Sequence, residues 1–281
     1  MRASHLWSSP RRRGVVAALA TGLLVAGALE AQPRPFIGSG TPHARASLTS
    51  ISVTPTRAQV LVTLAIDPGW HVSWRNPGET GLPTRLSWSL PAGVRVREET
   101  WPVPVIAHTP VGATHTLEGE VPWLIEFTVD RPTTADRLIA LTLSYGICRE
   151  VCIPERITVQ GALPGRDAQV SAIPMALHAR LARHGESIAA RRQSPTQLCL
   201  SRVPLASASR APEIIADSGL ALDAAVQLTA TSRARDHGFV MNIPATVTLG
   251  DGVKVLVVQG NAAVATTLDF HRAAPGCTAK K

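Results

Sequence analysis

Two cysteines four positions apart, Cys148 and Cys152, are the residues of this chain best suited to chemistry. Such a pair can be a structural disulfide, a metal site or a working dithiol. A disulfide between them closes so short a loop that it removes little entropy from the unfolded chain, which makes a purely structural role weak. A zinc site needs a second pair of ligands at standard spacing, which the sequence lacks. The spacing therefore favours a dithiol that interconverts with a disulfide.

The residues around the two cysteines bear on their reactivity. The charge of Arg149 favours a thiolate on the first cysteine, whereas the charge of Glu150 opposes it, so the sequence leaves open which sulfur attacks. Pro154 cannot donate a ladder hydrogen bond, which predicts a sheet edge or a turn just after the second cysteine. Tyr145, the only tyrosine, is either a core or edge aromatic of its strand or a ring packed beside the sulfurs.

Histidines offer a second kind of chemistry. His108 and His115 lie seven positions apart in a proline-rich segment, and together with the cysteine pair they suggest a copper-handling site as an alternative. Because this is not a recognised ligand spacing, we predict neither a metal nor a cofactor. His71, next to Trp70, is interpreted as a strand-surface residue rather than a catalyst.

The remaining cysteines, Cys199 and Cys277, bracket the last part of the chain. A bond between them would close a loop of about 80 residues and contribute roughly 4 kcal/mol in the chain-entropy model. We therefore expect a structural disulfide between them. A second redox relay is the alternative, but nothing in the residues adjoining either cysteine supports it.

The N-terminus has the layout of a secretory signal peptide. Arg11, Arg12 and Arg13 precede an apolar run from Gly14 to Leu29, and Ala31 offers a small residue for cleavage. The apolar run spans about 16 residues against the ~20 that a bilayer requires, so an uncleaved anchor is the weaker interpretation. We therefore expect residues 1–31 to be removed and the mature protein to be periplasmic, in a compartment that permits disulfides.

Composition and motifs exclude several classes of protein. The net charge of +8 comes from scattered arginines with no basic stripe interleaved with aromatics, so we predict no nucleic-acid binding. Beyond the N-terminus no segment is long and apolar enough to be a transmembrane domain. The nucleophile elbow, the zinc-protease motif, the P-loop and the dinucleotide fingerprint are all absent from the sequence.

The first half of the chain reads as short strands. Runs with period-two alternation, such as "AQVLVTLAI", "TRLSWSL" and "LIALTLSYGI", are separated by turn signals. This pattern predicts an all-β fold whose first domain, residues 32–163, is an immunoglobulin-like antiparallel β-sandwich. The segment from Trp101 to Glu118 is the exception, because its prolines predict a long loop.

Downstream of the sandwich the pattern changes twice. Residues 164–195 have a proline near a possible first turn and leucines four apart, which predicts a helical connector. Residues 196–281 return to strand patterns and predict a second, smaller β-sandwich-like domain.

Several motifs in order give the chain a family resemblance. The run "LSYGICREVCIPE" resembles the cysteine motif of the N-terminal periplasmic domain of the DsbD/ScsB thiol:disulfide interchange proteins. Upstream, "GWHVSWRNPGETGLPTRLSWSLPAGV", "TWPVPVIAH" and "LEGEVPWLIEF" look like further family elements in family order. The resemblance covers Ala46 to Leu163 well and the second domain only loosely.

The resemblance implies an immunoglobulin-like fold and a protein-disulfide reductase or interchange activity, in which Cys148 and Cys152 exchange electrons with exported thiol or disulfide proteins. By the family's pattern Cys152 contacts partners. Family members also shield the pair with an aromatic-bearing cap loop, for which the best candidate here is the loop before Leu117, carrying His115. This sequence lacks the family's multi-span membrane domain and thioredoxin-like domain, so a separate membrane or periplasmic reductant is expected.

The main alternative to thiol exchange is a non-enzymatic β-sandwich that serves as a binding or scaffold module. In that case both cysteine pairs would be structural disulfides, and their loss would lower stability without altering any redox property.

Overall fold

The computed structural model describes residues 40–110, 112–131, 135, 137–163, 165, 170–204, 212–217, 227–234, 238–242, 252–260, 262–275 and 277. The predicted signal peptide, residues 1–31, lies outside this part of the chain. No helix within these ranges has the length and hydropathy needed to span a bilayer.

Eleven strands build the first part of the chain. They are β1 (Gly40–Thr41), β2 (Ala44–Val53), β3 (Arg57–Ile66), β4 (His71–Gly78), β5 (Arg85–Ser89), β6 (Val94–Thr100), β7 (Val105–Thr109), β8 (Gly112–Leu117), β9 (Glu120–Val129), β10 (Arg137–Cys148) and β11 (Cys152–Leu163). One sheet has the order β1-β2-β3-β9-β6, and the other has the order β11-β10-β4-β8-β7, with β5 also paired to β10. Every pairing is antiparallel.

The core lies between these two sheets and contains large aromatic side chains. Trp74, Trp123 and Phe127 are almost fully buried. The ring of Trp101 meets those of Trp74 and Trp123 edge to face, with centroids 6.0 and 5.7 Å apart. Burying one such side chain is worth about 1.5–3 kcal/mol, and edge-to-face pairs add to that. The predicted antiparallel sandwich is confirmed.

The segment predicted as a long loop differs from that expectation. Strands β7 and β8 pair as an antiparallel hairpin, whose register begins at Val105↔Thr116 and ends at Thr109↔Gly112. The prolines that suggested a loop stand before β7 and at its turn, where no ladder hydrogen bond is needed from them. Alternating buried residues in β8 then complete one end of the second sheet.

The predicted connector is helical over only one turn, α1 (Met175–His178). Beyond it the backbone pairs with the sandwich instead of continuing the helix. Ala182 donates to the carbonyl of Trp101, and Leu181 bridges to Pro102. These long-range contacts override the local helical pattern.

The remaining strands form a second β region. They are β12 (Arg183–His184), β13 (Ile188–Ser194), β14 (Gln197–Ser201), β15 (Glu213–Ala216), β16 (Gln227–Ala234), β17 (Gly238–Asn242), β18 (Lys254–Gln259) and β19 (Ala262–Asp269). Their order is β12-β19-β13-β14-β17-β16-β15-β18, and β19 also pairs with β18, so the hydrogen bonding closes on itself. A disulfide joins Cys199 in β14 to Cys277, and both are buried.

Candidate redox site

The disulfide between Cys148 and Cys152 closes one end of a long hairpin. Strands β10 and β11 pair in continuous register from Arg137↔Leu163 to Cys148↔Cys152. Residues 149–151 reverse the chain, and the two sulfurs are bonded. Directly opposite residues of antiparallel strands have close Cβ atoms, so the register itself brings the two sulfurs together.

The two sulfurs differ in accessibility. Cys148 is only 2% exposed, whereas Cys152 lies on the surface. Val151 and Ile153, which flank Cys152, are 70% and 43% exposed. An incoming thiolate therefore meets the sulfur of Cys152 first, on a surface with apolar side chains beside it.

The alternation of β10 places its side chains on two faces. Leu143, Tyr145 and Ile147 belong to the sandwich core, so Gly146 and Cys148 point to the outer face of the sheet. The hydroxyl of Tyr145 lies 3.2 Å from Oγ1 of Thr41, and burial raises the pKa of this phenol. Tyr145 thus occupies the face of the strand opposite to Cys148, not a place beside the sulfur.

A loop of residues 79–84, the covering loop, folds back over the outer face beside the disulfide. The hydroxyl of Thr84 donates to the carbonyl of Ser73 in β4 over 2.6 Å. At Gly81, whose φ is +107°, an added Cβ would lie 2.2 Å from Oγ of Ser73. Only glycine permits both this backbone conformation and this approach.

The covering loop also reaches the cysteine-bearing strand. An added Cβ on Gly146 would lie 2.8 Å from Cβ of Leu82, so Leu82 packs directly over the position two residues before Cys148. This contact helps to explain how a cysteine on the outer face is almost completely buried. The turn-rich run "NPGETGLP" was the sequence signal for this loop.

His115, proposed from sequence as part of a cap, occupies a different position. It lies in β8 and is fully buried, with Nδ1 2.8 Å from the carbonyl oxygen of Asn76. Its Nε2 has no hydrogen-bond partner among the described residues. Burial lowers the pKa of His115, and the bond to Asn76 opposes that shift only in part. Its neighbours are strand residues, and the covering loop comes earlier in the chain.

The other residues expected to influence the reactivity of the cysteines lie at the end of the β10–β11 hairpin. Arg149 and Glu150 are exposed in the reversal. Pro154 lies in β11 opposite Gly146, and β11 ends the strand order of its sheet, where a missing N–H donor is tolerated. On the edge opposite to β11, strand β10 pairs with β4 through Ile147↔Val72 and Cys148↔His71.

Strand β4 is tied to the second β region by buried polar contacts. Nε of Arg75 lies 2.7 Å from Oδ1 of Asp217, and Nδ2 of Asn76 donates to the carbonyl of Ala216 over 2.7 Å. The guanidinium also stacks on the rings of Trp74 and Trp101. Burial lowers the pKa of Arg75, whereas the carboxylate of Asp217 raises it.

A cavity of about 190 Å³ lies beside this ion pair, lined in part by Glu99 and Lys254. Within the part of the chain that the structure describes, no group of three or more His, Cys, Asp or Glu side chains is arranged to hold a metal ion.

Comparison with known proteins agrees with this geometry. Residues 42–164 match the model of the family described as thiol:disulfide interchange protein DsbD, N-terminal. The fold is similar to the crystal structure of the N-terminal periplasmic domain of ScsB from Proteus mirabilis, with a TM-score of 0.54 and 19% identity, covering 84% of this chain and 98% of that one. A yeast GGA1 GAE domain aligns with a TM-score of only 0.29, 9% identity and 47% of this chain covered against 99% of its own, and supports no conclusion. No curated protein sequence is significantly similar. The matched residues, 42–164, include both cysteines of the hairpin disulfide, so this part of the chain is similar to the DsbD N-terminal family.

Proposed function

We propose that this protein is a periplasmic thiol:disulfide exchange protein that passes reducing equivalents to or from exported partners through Cys148 and Cys152. The main supporting observation is the asymmetric disulfide at the end of the β10–β11 hairpin. One sulfur is open to a partner, and the other is buried under a covering loop. The family of residues 42–164 supports the same chemistry.

The exchange proceeds in two displacements. When the disulfide is reduced, a partner thiolate attacks Sγ of Cys152, the bond between the cysteines breaks, and its electron pair leaves on Sγ of Cys148. A second partner thiolate then attacks the partner sulfur of the mixed disulfide, which releases Cys152 as a thiolate. The partner is oxidised to a disulfide and the cysteine pair is reduced to two thiols after proton uptake.

The reverse direction uses the same atoms. The thiolate of Cys152 attacks a partner disulfide, and Cys148 then attacks Cys152 to release the reduced partner. The described residues include no second cysteine pair free to supply electrons, because Cys199 and Cys277 are bonded to each other and buried. We propose that a membrane or periplasmic reductant supplies the electrons that complete the cycle.

Serine substitution tests this function. Cys148→Ser leaves the accessible sulfur without a resolving thiol, so it should accumulate mixed disulfides with exported proteins that mass spectrometry can identify. Cys152→Ser leaves only the buried sulfur and should trap far less. The double variant Cys199→Ser/Cys277→Ser is the control and should trap no more than the wild type.

The outcome also separates exchange from a scaffold role. If neither single variant traps a partner, while both only lose stability, the cysteine pair is structural and the proposed function is wrong.

A further inference from the structure

His71 is the residue of β4 that directly faces Cys148 across the sheet. Val72 and Trp74 of the same strand belong to the core cluster, so His71 points to the outer face, as Cys148 does. Opposite residues in an antiparallel pair have Cβ atoms about 4.5–5.5 Å apart, a separation that an imidazole side chain is long enough to bridge. His71 is half-buried, whereas Cys148 is almost inaccessible.

The proposed exchange reaction places a negative charge on the buried sulfur of Cys148. When the disulfide opens, the electron pair leaves on Sγ of Cys148, which is buried and cannot be hydrated freely. An anionic sulfur out of water raises the free energy of the reduced state unless a cation or a proton donor is near it. The contact that the structure gives this sulfur is at the carbonyl oxygen of Gly146, 3.6 Å away, which cannot stabilise a negative charge.

We infer that His71 is the acid–base partner of Cys148, an inference that rests on the proposed function. As the disulfide opens, the imidazolium of His71 stabilises the departing thiolate and can transfer its proton to it. In the reverse step neutral His71 accepts the proton of the Cys148 thiol, which then attacks Cys152. The proton reaches solvent through the half-buried imidazole, and no additional oxidant or reductant is involved.

The other charged groups near His71 are more exposed or already occupied. His43 stacks on Trp70, the residue before His71, and faces Asp67 over 3.6 Å. Glu118 follows the last residue of β8, whose Leu117 pairs with Val72. Glu118, Arg149 and Glu150 are exposed, whereas His43 and Asp67 are half-buried. His71 is the titratable residue in register with the buried sulfur.

The pKa of the Cys148 thiol tests the inference without any partner protein. In the Cys152→Ser background, with the Cys199–Cys277 disulfide intact, ultraviolet absorbance reports the thiolate of Cys148 as pH is varied. An opposite charge within about 4–6 Å lowers a pKa by roughly 1–3 units, so His71→Gln should raise this thiol pKa by about one unit or more. The thiolate fraction below that pKa then falls about tenfold or more.

Two further variants make the result decisive. His71→Lys keeps a positive charge and should restore much of the lowered pKa, and His178→Gln, on the exposed face of α1, should leave it unchanged. An unchanged pKa in His71→Gln overturns the inference, as does a shift that His71→Lys does not reverse, because that shift would reflect altered packing. Mixed-disulfide trapping by Cys148→Ser does not depend on His71, so the proposed function can survive this failure.

Discussion

Gly146→Ala should loosen the covering loop, because the new methyl group would meet Leu82. The nearest atom would be Cβ of Leu82 at 2.8 Å, with Cγ and Cδ1 at 3.2 and 3.1 Å. A Cβ atom is fixed to its backbone, so the loop itself must shift, which a change of side-chain rotamer cannot avoid. Overpacking of this kind costs about 1–3 kcal/mol, and we expect the lower end because Leu82 is 39% exposed.

The Gly146→Ala substitution should lower the free energy of unfolding and increase the access of reagents to the buried sulfur of Cys148. Urea unfolding of the disulfide-bonded protein measures the first. Alkylation of Cys148 in the Cys152→Ser background, followed by mass spectrometry, measures the second. A loop destabilised by about 1.4 kcal/mol opens roughly ten times more often, so alkylation should accelerate up to tenfold.

Changes at Leu82 provide a matched control for the steric argument. Leu82→Ala keeps the clashing Cβ and should not relieve Gly146→Ala, whereas Leu82→Gly removes that atom and should. The double variant with Leu82→Gly should therefore be more stable than the sum of the two single effects by about 1 kcal/mol. If Leu82→Ala and Leu82→Gly affect the stability of Gly146→Ala equally, the contact between Leu82 and Gly146 does not have the proposed role. An unaltered rate of Cys148 alkylation in Gly146→Ala would refute it as well.

Two further predictions concern buried charge. Asp217→Asn removes one partner of the buried pair with Arg75, whose side chains are 5% and 17% exposed, and should cost about 3–5 kcal/mol in urea unfolding. Asp130→Asn breaks an exposed pair with Arg95 and should cost no more than about 1 kcal/mol, so equal losses would contradict the argument from burial. The pKa of His115 is lowered in the folded protein, so the unfolded chain binds a proton first as pH falls. Stability should therefore decline below the unfolded value of about 6.5, and His115→Gln should show a smaller decline over the same pH window, measured by urea unfolding at several pH values. An identical pH dependence in the variant would show that other groups are responsible.

The sequence predicts those features that depend on local pattern. Alternation along β10, ending at Cys148, is enough to predict a strand with the cysteine at its end. Pro154 predicts a sheet edge or a turn after the second cysteine, and the structure has the edge strand β11 there. The same alternation, with turn signals between the runs, predicts the antiparallel sandwich. The family motifs add the expectation that the two cysteines exchange electrons with partner proteins.

Features that depend on contacts between distant residues are not predictable in this way. The cover over Gly146 comes from Leu82, more than sixty positions earlier, through a loop that the sequence shows only as rich in turn residues. The pairing of His71 with Cys148 likewise depends on which strands become neighbours in the sheet. The connector is helical over only one turn for the same reason, because the backbone N–H of Ala182 donates its hydrogen bond to the distant carbonyl of Trp101.

The continuous ladder between β10 and β11 has a consequence for how often the site can be used. The register runs without a break from Cys148↔Cys152 back to Arg137↔Leu163, so we expect the rest of the ladder to stay in place when the bond opens. Since the bond closes a loop of only a few residues, its loss hardly enlarges the unfolded ensemble. The oxidised and reduced forms should therefore melt at nearly the same temperature. If the proposed exchange takes place, the hairpin should not need to unfold in either direction, so limited proteolysis should cut the oxidised and reduced forms at similar rates.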